Sequence, residues 1–206
     1  MNIRKYTSGS VGTNSYLVDD GQGKAFIVDA GEYDPRLADA VKDDGLEVIW
    51  LILTHGHGDH IGGVQRYLDE FPGCKLAAGE AEKPILSDPA RNFSREICGT
   101  DITPEADLYL KDGDALQAGT IDLQILETPG HTPGGICILA ENDLFSGDTL
   151  FQASIGRTDL PGGSLESLLD SIRAKLFTLP DTVEVHPGHM GSTSIGAEKK
   201  HNPFLR

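Results

Sequence analysis

The 206-residue sequence has no apolar run approaching the roughly 18 residues that a membrane-spanning helix needs. Its opening, MNIRKYTSGS, lacks the apolar core of a secretion signal. Both absences point to a cytoplasmic protein with no membrane partner. Cysteine is scarce: Cys74, Cys98 and Cys137 are odd in number and far apart, which argues against a disulfide framework and reads as reduced core or loop thiols. Basic residues are outnumbered, with 17 Lys and Arg against 32 Asp and Glu, so the formal charge is −15 at pH 7. A chain this acidic does not grip nucleic acid or anionic lipid by charge. No G-x-S-x-G elbow occurs, so a serine nucleophile on a strand-to-helix turn is not expected. Linkers, repeats and low-complexity tracts are missing as well, and a single domain over residues 1–206 suits the length.

Histidine, by contrast, is concentrated. Residues 51–63 read LILTHGHGDHIGG, so His55, His57, Asp59 and His60 fall within six positions, separated only by Gly56 and Gly58. Upstream lies EVIWLIL, a nearly continuous apolar run that reads as a strand buried on both faces. Downstream, Ile61, Val64, Leu68 and Phe71 recur at helical spacing. The cluster therefore sits where a buried strand turns into a helix, the edge at which α/β sheets build their sites. Glycines at 56 and 58 are expected to supply turn conformations that a Cβ would forbid, letting several side chains converge. Imidazole and carboxylate are the usual protein ligands of zinc, and imidazole also suits iron.

Further strands are expected over 15–18, 25–29, 48–53, 75–78, 107–110, 121–127, 135–139, 143–145 and 183–185. Helices are expected over 35–44, 63–71, 81–87, 165–177 and 195–200. Strands gather toward both ends with helices interspersed, without regular βαβ alternation. Two mixed sheets packed face to face and covered by helices satisfy that pattern.

A metal ion needs three or four ligands, so partners are sought elsewhere. ETPGHTPGG places His131 in a turn between two strands, LFSGDTLF places Asp148 directly after a short apolar strand, and VEVHPGHMG places His189 in a similar position. Singly, each reads equally as a turn or capping residue. Together they put five of the seven histidines in strand-end turns beside a glycine. Seven ligands exceed one tetrahedral ion but suit two ions sharing a bridge, for which Asp148, with two oxygens, is the natural choice. No cysteine is among the candidates, which leaves zinc, iron and manganese open.

THGHGDH, PGHTPGG, FSGDTLF and HPGHMG resemble the successive metal-binding motifs of the metallo-β-lactamase superfamily. GDTLFQASIGRTDLPGG and TSIGAEKKHNPFL are similar to those of its small glyoxalase II-like hydrolases. The resemblance implies an α+β fold, a four-layer αβ/βα sandwich of two mixed sheets flanked by helices. By position it implies that His55, His57 and His131 hold one ion, that Asp59, His60 and His189 hold a second, and that Asp148 bridges them. Asp59 and Asp148 are the implied catalytic carboxylates. Asp29, in IVDAG, resembles an aspartate that steadies ligands without touching metal, and reads equally as a strand-end turn residue. His186 is expected to be structural.

The implied reaction is hydrolysis of a small-molecule thioester such as S-lactoylglutathione, by two divalent ions, zinc foremost. Arg157 falls where glyoxalase II places a basic residue facing glutathione; the other reading is that it pairs with Asp159 or Asp148 to brace its loop. There are departures from that pattern. Only 17 residues follow His189, so the helical substrate-binding domain appended to full-length glyoxalase II is not expected here. An aromatic expected after the basic residue is replaced by Asp159, and Met190 stands where close relatives usually have glycine. Segment 83–105 reads as a lid over the site or as a surface excursion. A related branch, the persulfide dioxygenases, holds a single iron with two histidines and one aspartate, for which His55, His131 and Asp148 would serve. The same chemistry on a lactone or other ester is a further alternative.

Overall fold

The computed structural model describes all 206 residues. The first sheet takes β1 (Asn2–Ser8), β2 (Thr13–Asp19), β3 (Lys24–Val28), β4 (Glu47–Leu53), β5 (Lys75–Gly79) and β6 (Leu108–Leu110) in chain order. It is antiparallel as far as β3 and parallel beyond. The second sheet contains β7 (Ala115–Ala118), β8 (Ile121–Glu127), β9 (Ile136–Ala140) and β10 (Asp143–Gly147). A small ribbon of β11 (Leu150–Phe151) and β12 (Ser154–Ile155) precedes its last strands, β13 (Glu184–Pro187) and β14 (Thr193–Ser194). The spatial order is β14-β13-β10-β9-β8-β7, with β10 and β13 parallel and the other pairs antiparallel.

Side-chain alternation decides which face each strand buries. In β4, Ile52 joins the core between the sheets while Leu51 and Leu53 join the core under the helices Pro35–Asp43 and Val64–Glu70. The same division holds in β2, where Tyr16 and Val18 face the second sheet and Leu17 faces the helices. A third core lies outside the second sheet, where Leu144 and Val185 meet Leu168, Ile172 and Ile195. The layers run helix, sheet, sheet, helix, which is the expected α+β sandwich. Between the sheets, Phe26 and Phe145 meet edge to face with centroids 6.0 Å apart.

Strand polarity positions the site. β8 runs antiparallel to β9 and β9 antiparallel to β10, so β8, β10 and β13 share one direction. Their carboxyl ends meet those of β3 and β4 at one edge, tied across the sheets by Ile136 N–H donating to the Thr54 carbonyl at 2.8 Å.

β7, β11, β12 and β14 lie outside the expected strands, and three further features depart from expectation. β1 was not anticipated because its sequence, NIRKYTS, is polar; it is a half-exposed edge strand held by seven register pairs with β2. The helix expected over 165–177 is α-helical over Leu165–Ser171 and then widens into a π turn over Ile172–Leu176. There the Phe177 N–H reaches the Ile172 carbonyl, and Ile172 and Leu176 are both fully buried. Segment 83–105 forms three short helices, Lys83–Leu86, Pro89–Asn92 and Ser94–Cys98, packed on the histidine loop. No helix is long and apolar enough to cross a membrane.

Phe26→Ala is expected to lower unfolding free energy by about 3–5 kcal/mol, because it opens a cavity between the sheets. Phe204→Ala, at a residue 52% exposed, is expected to change it by less than about 0.5 kcal/mol. Urea titration at fixed metal concentration distinguishes the two.

Candidate metal centre

β4 ends at Leu53, and the next seven residues carry four of the candidate ligands. His57 caps a single helical turn, Gly58–Ile61, that carries Asp59 and His60. The two glycines do not supply the turn conformations expected of them. Neither Gly56 nor Gly58 adopts a positive φ. What excludes a side chain is the segment above: a Cβ on Gly56 would lie 2.9 Å from Leu86 Cδ2, and one on Gly58 would lie 2.8 Å from Ser94 Cα. The loop is pressed under its roof rather than freely turned.

All seven expected ligand residues meet at the shared edge. His131 Nε2 stands 2.9 Å from His57 Nδ1 and 3.2 Å from His55 Nε2. His189 Nε2 stands 3.2 Å from Asp59 Oδ2, and His60 Nε2 3.5 Å from the same oxygen. Asp148 lies between the two groups, with Oδ1 3.4 Å from His60 Nε2 and Oδ2 3.5 Å from both His131 Nε2 and His189 Nε2. A methyl group at Gly188 would meet Asp148 Oδ1 at 2.4 Å, so only glycine lets the last loop approach this carboxylate.

Neighbouring groups aim the ligands. Asp29, at φ 57°, accepts from the Thr54 N–H and hydroxyl, each at 2.8 Å, and its Oδ2 meets His60 Nδ1 at 2.8 Å. His131 Nδ1 is 2.7 Å from the Arg157 carbonyl. Thr13 Oγ1 donates to Asp59 Oδ2 at 3.0 Å. Such partners fix ring orientation and leave the other nitrogen free to bind metal.

Burial and mutual charge separate the protonation states. Burial holds the His55 ring well below the usual imidazole range and lowers His57 to about 3. Burial acts the same way on His60, but Asp29, Asp59 and Asp148 outweigh it and raise His60 well above that range. For His189, burial is likewise outweighed by Asp148 and Asp59, which raise it to about 9. Asp59 falls to about 2 despite burial, because His60 and His189 surround it.

The donors fit divalent cations. His57 Nε2, His60 Nε2 and Asp148 Oδ1 are buried without hydrogen-bond partners. Three three-residue groups, His55 with His57 and His131, Asp59 with His60 and His189, and His55 with His60 and Asp148 between them, each bring one ligand atom per residue to within 4.8 Å of the others. Nitrogen and oxygen donors without thiolate suit zinc, iron or manganese.

Other expected residues lie around this cluster. Arg157 lines the cleft, but its guanidinium makes a fork to Asp159 at 2.8 and 2.7 Å, with both side chains exposed. His186 stands apart, paired with Asp143 at 2.7 Å and stacked on Phe145. The cleft over the ligands encloses about 530 Å³, with Phe93, Ile97, Leu160 and Met190 among its apolar walls. Thr13, Thr54 and Glu82 were not singled out from sequence. Thr54 abuts the histidine motif, whereas no local signal marks Thr13 or Glu82. Burial pushes the Glu82 carboxyl up to about 7 against three hydrogen bonds that favour its ionised form.

The signature of the Metallo-beta-lactamase superfamily matches residues 9–189. The chain belongs to that superfamily. It is 35% identical to the hydroxyacylglutathione hydrolase GloC of Haemophilus influenzae, over all of this chain and 98% of that one. Its fold is similar to the crystal structure of BLEG-1 B3 metallo-beta-lactamase, with TM-score 0.92, 39% identity and 99% of each chain covered. It is also similar to TTHA1623 in a di-iron-bound form, with TM-score 0.85, 32% identity, 98% of this chain and all of that one covered.

The metal-free protein is expected to be most stable near pH 6.5. The raised His189 contributes stability below its unfolded value of 6.5 that is lost as pH rises through about 9. His57, lowered to about 3, works against folding below 6.5, where only the unfolded chain takes the proton. Thermal melting in chelator across pH 5 to about 9.5 tests this; a melting point that climbs steadily to the alkaline end contradicts it.

Proposed function

We propose that this superfamily member is a dinuclear metal-dependent thioester hydrolase of the glyoxalase II kind, with S-lactoylglutathione as its reference substrate. The observation that carries the reading is the pairing of two ligand groups about one shared carboxylate, Asp148. His55, His57 and His131 would hold one ion, Asp59, His60 and His189 the other, and Asp148 both. Zinc is the first choice, and the similarity to a di-iron protein keeps iron beside it. When bound, a pair of such ions supplies Lewis-acid polarisation and lowers the pKa of water toward neutrality.

The chain's own groups prepare that chemistry. Asp29 Oδ2 against His60 Nδ1, and the Arg157 carbonyl against His131 Nδ1, orient two rings before substrate arrives. Asp59, whose Oδ2 accepts from Thr13, and Asp148 line the cleft and would orient the attacking water as hydrogen-bond acceptors. Phe93 and the other apolar walls restrict solvent around the scissile bond. A thiolate leaves readily, so little general acid is required. Arg157 is the basic residue at the rim that would meet a carboxylate of the thiol. Its fork to Asp159 is an exposed ion pair, which exchanges readily for another anion. GloC, named for this activity, supports the substrate class at 35% identity.

The test is metal content followed by turnover. Protein purified without added metal is expected to carry about two ions per chain, as dinuclear centres do. Chelation is expected to abolish S-lactoylglutathione cleavage and divalent metal to restore it. His57→Ala is expected to cost more than the roughly 10–100-fold seen when only an outer partner of a ligand is lost. One iron per chain with oxygen uptake on a persulfide would overturn the hydrolase in favour of the dioxygenase.

A further inference from the structure

Glu82 is fully buried, on the single 3-10 turn Glu80–Glu82 that follows β5, and no cation is paired with it. Its charge is met only by dipoles. Oε1 accepts the Gly56 N–H at 2.9 Å. Oε2 accepts the Thr132 hydroxyl at 3.0 Å and the Gly134 N–H at 2.9 Å. Gly56 lies between His55 and His57, and Thr132 follows His131. One carboxylate thus spans the two loops, one from each sheet, that carry the three-histidine group.

The backbone around it is fitted to this bridge. A Cβ on Gly134 would lie 2.1 Å from the Glu82 nitrogen, and one on Gly79 would lie 2.2 Å from the Gly134 carbonyl. The turn that carries Glu82 is therefore in direct backbone contact with the turn that carries His131. A buried carboxylate is unfavourable to keep unless its oxygens are satisfied, and these three donors all come from ligand loops. Asp29 does the corresponding work on the other side, through Thr54 and His60. Thr54 and Gly56 flank His55, so the two carboxylates take the loop from either side of that one residue.

We propose that Glu82 is the positioning residue of the three-histidine half of the centre, setting the spacing of His57 and His131 and so the affinity of the ion held there. This rests on the two-ion reading above. Glu82 is in none of the ligand groups and does not line the cleft, so it acts only through the loops it joins. An amide cannot replace it: in either orientation, glutamine turns an NH2 toward a backbone N–H, that of Gly56 or that of Gly134. Thr132→Val removes one arm of the bridge while keeping side-chain shape.

The experiment is titration of metal-free protein with zinc against a chromophoric chelator, repeated with cobalt to follow its visible bands. The wild type is expected to bind two ions in resolvable steps. Glu82→Gln is expected to weaken one step by about 10–100-fold and leave the other within about twofold. Thr132→Val is expected to weaken the same step less, and Asp29→Asn the opposite step. A general loss of structure would move both steps together. Equal weakening of both, or of neither, overturns the proposal, and if Glu82→Gln does not fold, Thr132→Val decides by the same criterion. A wild type that takes up fewer than two ions overturns the two-ion reading and this proposal together, and it is recognised before any variant is made.

Discussion

Five imidazoles and two carboxylates held in near contact under burial are unfavourable unless they share cations, and the rest of this structure depends on that constraint. Buried nitrogens that face one another at about 3 Å repel when both are protonated, and when neutral only one of each facing pair can donate. The protonation pattern reflects this conflict: His55 and His57 are forced neutral while His60 and His189 retain protons from the carboxylates around them. A pair of divalent ions would resolve it, since each offers one compact charge to several donor lone pairs.

Holding such a cluster together requires rigid delivery from both sheets. Strands of common direction bring the loops to one edge, and backbone hydrogen bonds then stitch the loops to one another. Gly188 donates to the Gly147 carbonyl, Asn14 to that of Gly188, and Ala30 to that of His60. Asp29 and Glu82 add side-chain ties where backbone pairing stops. The glycines of the motif serve the same end, because Ile85, Leu86 and Ser94 occupy the volume their side chains would fill.

A fold does not determine an activity, and this one is similar both to a hydrolase named for a glutathione thioester and to a B3 metallo-beta-lactamase. The ligand cluster alone does not choose between such activities, so the rim of the cleft matters. Here the rim is Phe93 over His57, Arg157 forked to Asp159, and Met190, which is 57% exposed and held at φ 69° beside His189. A residue with a side chain in the left-handed region stores strain, and such strain gathers at functional sites.

Much of this was legible from the sequence. The apolar run of β4 marked a strand covered on both faces, and strand-end turns beside glycine marked His131, Asp148 and His189, because these signals are local and periodic. Edge strand β1 escaped because an exposed polar strand carries no hydrophobic period, and the π turn escaped because its apolar stripe is the same as a helix's. Sequence by itself determined the donor types, their placement at strand ends and the sandwich that carries them. Only the tertiary structure decided that Glu82 joins two ligand loops, that Thr13 serves Asp59, and that packing from above keeps Gly56 and Gly58 bare. Those contacts join residues 26 to 52 positions apart, and no local pattern encodes a distance that only the folded chain brings to hydrogen-bond length.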